Sequence, residues 1–137
     1  MKKYKIGYVQ GVFDMFHIGH LNILRNAKSV CDYLIVGVNS DRLTEEYKNK
    51  TPIIPENERL EIVSEIKCVD KAVIVDNRDK IEALEKFNYD ALIMGSDWKG
   101  TDFYNEMEKI LKQRNVDIVY FEYTTHISST KLRNEIK

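Results

Sequence analysis

Apolar and polar positions along this chain change their period from segment to segment, and each change marks an element. Ile6-Gly7-Tyr8-Val9 is a run of strand length, followed by a glycine-bearing turn and then by helical spacing over Leu21–Lys28. Asp32–Val38 is β-branched and apolar on consecutive positions, the pattern of a strand buried on both faces. It ends in Asn39-Ser40-Asp41, a helix-capping cluster. The polar stretch Glu45–Pro55 holds both prolines and predicts an ordered loop with extended portions, not a continuous helix. Glu56–Lys67 returns to helical spacing, Ala72–Val75 predicts a third strand, and Asp79–Phe87 predicts a short amphipathic helix. Ala91–Met94 predicts a fourth strand closed by the turn-rich Gly95–Gly100, Phe103–Arg114 a helix, and Val116–Tyr123 a fifth strand. The hydroxyl-rich run that follows, up to Arg133, predicts a cap on a final short helix. Strands alternating with helices predict an α/β fold: a doubly wound, mainly parallel five-stranded sheet with helices on both faces.

Composition narrows what such a sheet could do. A length of 137 residues predicts a single domain over 1–137 with a real core, and 43% hydrophobic with 31% charged residues excludes a disordered chain. Lys plus Arg number 21 against 22 Asp plus Glu, a net charge of -1. Binding to nucleic acid or to a membrane surface would call for a basic excess, so neither partner is expected. No apolar run approaches the roughly 20 residues that cross a bilayer. Met1-Lys2-Lys3-Tyr4-Lys5 has a basic start but only a strand-length apolar run behind it, which predicts no signal peptide and a cytoplasmic location. Cys31 and Cys68 stand far apart without metal-ligand spacing and read as reduced thiols.

The chemistry concentrates where the first strand meets the first helix, in Gly11-Val12-Phe13-Asp14-Met15-Phe16-His17-Ile18-Gly19-His20. A doubly wound sheet opens its ligand crevice at such a junction, and a helix start offers free N–H groups and a favourable dipole to an anion. Neither G-x-G-x-x-G nor G-x-x-x-x-G-K-[ST] occurs, so a dinucleotide fingerprint and a P-loop are both unsupported. His17 and His20 could contact phosphate, ligate a metal or serve the fold, and no third ligand accompanies them. The third histidine, His126, lies in the hydroxyl-rich turn after the last strand, so all three fall at strand–helix junctions.

With these residues in hand, the chain resembles the HIGH-type nucleotidylyltransferase superfamily. Gly11-Val12-Phe13-Asp14 with His17-Ile18-Gly19-His20 is similar to its opening GxFDxxHxGH signature. Glu58-Arg59, after a lysine loop carrying Lys48, resembles the ER pair; Met94–Gly100 resembles MGxDWxG; Ile127-Ser128-Ser129-Thr130 resembles the IST(S/T) motif. The order and chain length are those of the small cytidylyltransferases, above all the glycerol-3-phosphate cytidylyltransferase family. Its arginine, glutamate and glycine before the last helix are here Tyr123, Thr125 and His126, Ser96 replaces an aspartate, and Val12 a threonine.

The resemblance implies a Rossmann-like fold and transfer of CMP from CTP to a small phospho-alcohol, giving CDP-glycerol and pyrophosphate for cell-surface polysaccharide or teichoic acid synthesis. It implies catalytic roles for His17, His20, Lys48 and Arg59, the last as a planar fork on phosphate oxygens. The nucleotide would meet Val12, Phe13, Asp14, His17, His20, Ser96, Asp97, Trp98, Ile127, Ser128, Ser129 and Thr130, and the acceptor Lys48 and Lys80. Asp14 could instead orient its turn, and Ser128–Thr130 could be only a helix cap. Mg²⁺ would arrive with the nucleotide and no protein metal site is expected. A homodimer is implied. The alternatives are an ATP user, an acceptor that is another polyol, amino-alcohol or sugar phosphate, or a non-catalytic nucleotide-binding relative.

Overall fold

The computed structural model describes residues 2–122 and 128–135. Five strands form one parallel sheet: β1 (Tyr4–Gly11), β2 (Cys31–Asn39), β3 (Lys71–Val75), β4 (Ala91–Gly95) and β5 (Asp117–Phe121), in the order β3-β2-β1-β4-β5. Among the described residues six α-helices accompany them: α1 (Ile18–Val30), α2 (Asp41–Lys48), α3 (Glu56–Ser64), α4 (Lys80–Phe87), α5 (Asp102–Gln113) and α6 (Ser129–Glu135). This is the doubly wound architecture that the alternating pattern predicts. Among the described residues, no helix is long and apolar enough to cross a membrane, and Cys31 and Cys68 are both free.

Side-chain alternation along the strands divides the core in two. Tyr8, Ile35 and Leu92 point to the face covered by α4 and α5, where they meet Leu84, Phe87, Tyr104 and Leu111. Their neighbours Val9, Leu34, Val36, Ala91 and Ile93 point to the other face, against Leu24 and Ala27 of α1 and Val63 of α3. Both faces are therefore apolar, which is why the strand sequences read as continuous hydrophobic runs. β1 lies between β2 and β4, so the chain winds outward in opposite directions from it, and a crevice opens at the carboxyl ends of β1 and β4.

One expectation is corrected. The stretch from Glu45 is not loop: α2 runs from Asp41 to Lys48, capped by the Ser40 hydroxyl accepting from the Leu43 N–H at 3.1 Å. Leu43 and Thr44 anchor it by burial, and Asn49 ends it in the left-handed region at φ 55°. The prolines come only after this stop, so they constrain the connection to α3 and not the helix itself. Lys48 consequently sits on a helix end.

Gly37 in β2 faces the Tyr8 ring. A Cβ there would collide with the Tyr8 hydroxyl and meet its Cζ at 3.1 Å and Val75 Cγ1 at 3.2 Å. Tyr8 is fully buried and its hydroxyl donates to Gln10 Oε1 at 2.8 Å, so it cannot swing aside without losing both packing and that bond. Gly37→Ala is expected to destabilise the fold by about 1–3 kcal/mol, the usual range for overpacking. Urea denaturation checks this, and an unchanged midpoint would show that the Tyr8 side relaxes freely.

Candidate functional site

The crevice is a cleft of about 430 Å³ at the carboxyl ends of the strands. Val12, Phe13, Asp14, His17 and His20 line it together with Lys48, Lys80, Trp98 and Ser128, Ser129 and Thr130, and Arg133 of α6 donates to Thr51 O at 3.0 Å, three residues beyond Lys48. Most residues singled out in the sequence thus meet around one space, although they come from five separate segments.

The entry to α1 is strained and specific. Phe13 (φ 56°) and Met15 (φ 50°) both take left-handed backbone conformations that non-glycine residues seldom adopt. That turn delivers His17 to the N-cap of α1, where its Nδ1 accepts from the Gly19 N–H at 3.0 Å. His20 Nδ1 accepts in return from the His17 N–H at 3.2 Å, closing a capping box built from two imidazoles. The rings stack at 3.9 Å between centroids. An Nδ1 that accepts carries no proton, so the neutral ring keeps its proton on Nε2 as a donor. Phe13 edge-on at 5.4 Å and Phe16 at 5.3 Å surround His20 with apolar surface. Burial above all, and then the charge of His17, press the His20 pKa down to about 3. His20 is a neutral donor at physiological pH, not the cation that an anion site might suggest.

Arg59 departs from its expected role. It is 1% exposed and commits four of its five N–H donors to protein oxygens: Nε to Ile54 O at 2.8 Å, Nη1 to Val12 O at 2.7 Å and Asn39 O at 2.8 Å, and Nη2 to Asp41 Oδ1 at 2.6 Å. Instead of forking onto phosphate, the guanidinium sits beneath the cleft and fixes its floor. The reason is position: Arg59 lies on the inward face of α3, beside fully buried Val63.

Asp14 takes the turn-orienting role that its sequence reading left open. Its buried carboxylate accepts from the Ile53 and Ile54 N–H groups, both at 2.9 Å, and pairs with Arg133 at 3.3 Å. Its carbonyl accepts from Ser129 Oγ at 2.5 Å. The opening motif is thereby bolted to the connection before α3 and to α6. Ser129 is thus a strut, and Ser128 caps α6 by accepting from the Lys131 N–H at 3.0 Å. Ser96 and Asp97 occupy a 3-10 turn beside the cleft, with Asp97 exposed, whereas Met94, Gly95 and Trp98 of the same segment line it. Ile127 and His126 lie outside the described residues.

Lys48 and Lys80 hold the charged flank. Partial removal from water, then Lys50 and Arg78, keep the Lys48 ammonium below its usual range. Lys80 donates to Arg78 O at 3.1 Å, and burial, reinforced by Arg78, pushes its pKa down to about 8. Sequence reasoning missed Arg78 and Tyr47, which also line the cleft, with the Arg78 guanidinium 4.2 Å from the Tyr47 ring centroid. The available signal was placement, because Arg78 follows β3 at its carboxyl end. Among the described residues, no cluster of three His, Cys, Asp or Glu side chains could hold a metal ion.

Two outcomes follow from these buried groups. Arg59→Met is expected to cost about 3 kcal/mol or more in urea denaturation, because it strands Asp41 and three carbonyls. An arginine serving only phosphate would leave stability unchanged. Because the folded pKa of His20 lies below that of a free imidazole, the unfolded chain binds a proton between pH 6.5 and about 3 that the folded chain refuses. Stability should therefore fall as pH drops through that window, and the decline should be shallower in His20→Gln. Parallel denaturation midpoints at pH 7 and pH 5 would remove the assignment of a buried neutral ring.

Similarity to known proteins agrees with this arrangement. A family model described as cytidylyltransferase-like matches residues 8–135. The bifunctional protein HldE of Koribacter versatilis (strain Ellin345) is 39% identical over 95 residues, 69% of this chain and 20% of that protein. HldE of Caulobacter vibrioides (strain ATCC 19089 / CIP 103742 / CB 15) is 36% identical over the same coverage. The chain spans about a fifth of the length of the curated relatives it matches. A lipopolysaccharide core biosynthesis protein from Thermoplasma volcanium GSS1 superposes with a TM-score of 0.73 at 27% identity, over 90% of this chain and 99% of that one. Pantoate-beta-alanine ligase from Francisella tularensis, solved with beta-gamma ATP and beta-alanine, shares the fold at a TM-score of 0.63 and 15% identity, over 99% of this chain and 71% of that one. With the match running through every strand and helix from residue 8 to residue 135, the chain belongs to the cytidylyltransferase-like family.

Proposed function

We propose that this chain transfers CMP from CTP to the phosphate of a small phosphorylated polyol, glycerol 3-phosphate being the acceptor, and releases pyrophosphate. The observation that carries the reading is the paired-imidazole cap of α1, which turns two ring edges toward the cleft where the sheet winds both ways. An acceptor phosphate oxygen attacks the α-phosphorus of the triphosphate, and the bond from that phosphorus to the bridging oxygen breaks as pyrophosphate leaves. The attacking oxygen is already anionic at neutral pH, so no side chain must create it. The protein has to align two like-charged reactants and offset charge on the α-phosphate and the leaving group.

In this reading His17 and His20 donate from Nε2 to the triphosphate, and the Val12–Phe13 backbone approaches it beside them. Lys48 and Lys80 hold the acceptor phosphate, Trp98 borders the base, and Thr130 lies near the β and γ phosphates. The cleft's donors are mainly imidazoles and cations, which suits phosphate and not a metal cage. A Mg²⁺ held by the triphosphate oxygens would neutralise charge on the leaving pyrophosphate. A cytoplasmic location and a homodimeric state belong to the same reading, on the resemblance alone.

A second reading, transfer to a sugar phosphate with ATP as donor, is favoured by the likeness to the HldE proteins and to the lipopolysaccharide core biosynthesis protein. Pyrophosphate release measured with each of four nucleoside triphosphates, against a panel of phosphorylated polyols, amino-alcohols and sugars, separates the readings. CTP with glycerol 3-phosphate is expected to lead. Release with ATP and sugar phosphates alone selects the second reading, and no release from any pair leaves a nucleotide-binding relative without turnover. His17→Ala should lower turnover by at least about 100-fold, the scale of one preorganised donor to developing charge. Near-normal turnover in the folded variant would sink the role given to His17.

A further inference from the structure

We infer that the acceptor flank of the cleft selects a hydroxylated phosphate ester and rejects amino-alcohol phosphates, and that Arg78, laid over Tyr47, is the residue that enforces this choice. The inference rests on the proposed transfer and adds the residue that sets its acceptor class. An ammonium, primary or quaternary, is recognised by an open aromatic face or by a carboxylate. Among the described residues neither is open on this flank, where Tyr104 also lines the cleft but is buried. The Arg78 guanidinium carbon stands 4.2 Å from the Tyr47 centroid, and Lys48 Nζ lies 5.7 Å from the same ring. The tyrosine is already occupied by the protein's own cations.

The stack is built, not incidental. The Tyr47 hydroxyl accepts from Asn39 Nδ2 at 3.0 Å, and Asn39 Oδ1 accepts from Gln10 Nε2 at 2.9 Å. The same Gln10 nitrogen donates to Asn77 O at 2.9 Å, which ties down the residue just before Arg78. Carboxylates offer no substitute. Among the described residues two line the cleft: Asp14 is engaged by the Ile53 and Ile54 N–H groups and Arg133, while Glu122 follows β5, at the opposite edge of the sheet from the β3 end that carries Arg78. Asp79, between Arg78 and Lys80, is taken up in capping α4, accepting from the Ile81 and Glu82 N–H groups. Trp98 follows β4 and stands edge-on to Tyr104 at 5.6 Å, and in the proposed reading it borders the base.

A cationic acceptor would therefore meet Lys48, Arg78 and Lys80 without compensation. A stacked guanidinium uses its π face and keeps its in-plane N–H edge for oxygen acceptors. Hydroxyls and phosphate oxygens suit that edge, and ammonium groups do not. The discrimination comes mainly from this repulsion.

Calorimetric binding of glycerol 3-phosphate and of phosphocholine, to the unmodified chain and to Arg78→Gln, tests the assignment. The unmodified chain is expected to bind glycerol 3-phosphate at least about 10-fold more tightly, and Arg78→Gln to lose a measurable part of that preference, since it removes one of three cations and uncovers the side of Tyr47 that Arg78 covers. Arg78→Lys, which keeps charge without the planar stack, should still reject phosphocholine while binding glycerol 3-phosphate more weakly. Thermal unfolding of each sample verifies that the variants are folded. Equal binding of the two ligands by the unmodified chain, or an unaltered preference in folded Arg78→Gln, overturns the inference even if pyrophosphate release proceeds. Arg78-dependent preference without any pyrophosphate release upholds it and overturns the transfer reaction instead.

Discussion

Arg59 carries its charge into a place with almost no solvent, where an uncompensated guanidinium would be intolerable. Its partners are the carbonyl of Val12 in the opening motif, the carbonyl of Asn39 at the end of β2, the carboxylate of Asp41 at the start of α2, and the carbonyl of Ile54 before α3. These partners lie on three stretches of chain: the turn after β1, the β2–α2 junction and the connection between α2 and α3. The planar fork forces them to meet at fixed separations, and the walls of the cleft follow from that constraint. Lysine could not replace it, since one ammonium cannot address four acceptors spread around a plane. Removing either partner of such a pair leaves the other uncompensated, which is where its energetic weight lies.

On this floor the α1 entry solves two problems with one pair of side chains. A helix start has unpaired N–H groups, and a phosphate site needs donors aimed outward. Ordinary capping residues would satisfy the helix and end there. A histidine that caps through Nδ1 still has Nε2 on the far side of its ring, so His17 and His20 close the helix and present donors together. Their mutual stacking and the Phe13 and Phe16 rings keep His20 neutral. The left-handed turns at Phe13 and Met15 are held by Asp14, whose bonds reach the residues before α3 and also Arg133 of α6.

Hydrophobic period made the sheet readable, because strands buried on both faces leave long apolar runs that nothing else in the chain imitates. The helix α2 was hidden for a physical reason: its buried positions are only Leu43 and Thr44, and its outer face is charged throughout. Prolines just beyond it pulled the whole stretch toward loop. Among the site residues, His17 and His20 were legible from motif and placement, and the role of Arg59 was not. A sequence cannot tell an arginine facing ligand from one facing backbone when both lie one turn into a helix. Arg78 escaped for the opposite reason, since an exposed arginine in a polar turn carries no local signature, and only the fold sets it over Tyr47.

Charge is distributed unevenly along the cleft, and the distribution suits two reactants that repel each other. Neutral imidazole donors sit at the helix start, where the helix dipole already favours an anion and another full charge would bind ground state and transition state alike. Lys48 and Lys80 follow β2 and β3, and Lys48 is near enough to the α1 start to act on His20. Lys80 is held near pKa 8 by burial and by Arg78, so its charge is desolvated and acts more strongly at short range than an exposed lysine would. A second polyanion brought to these lysines is drawn in by cations while the first is oriented by dipoles, and the strongest charges lie where alignment is hardest.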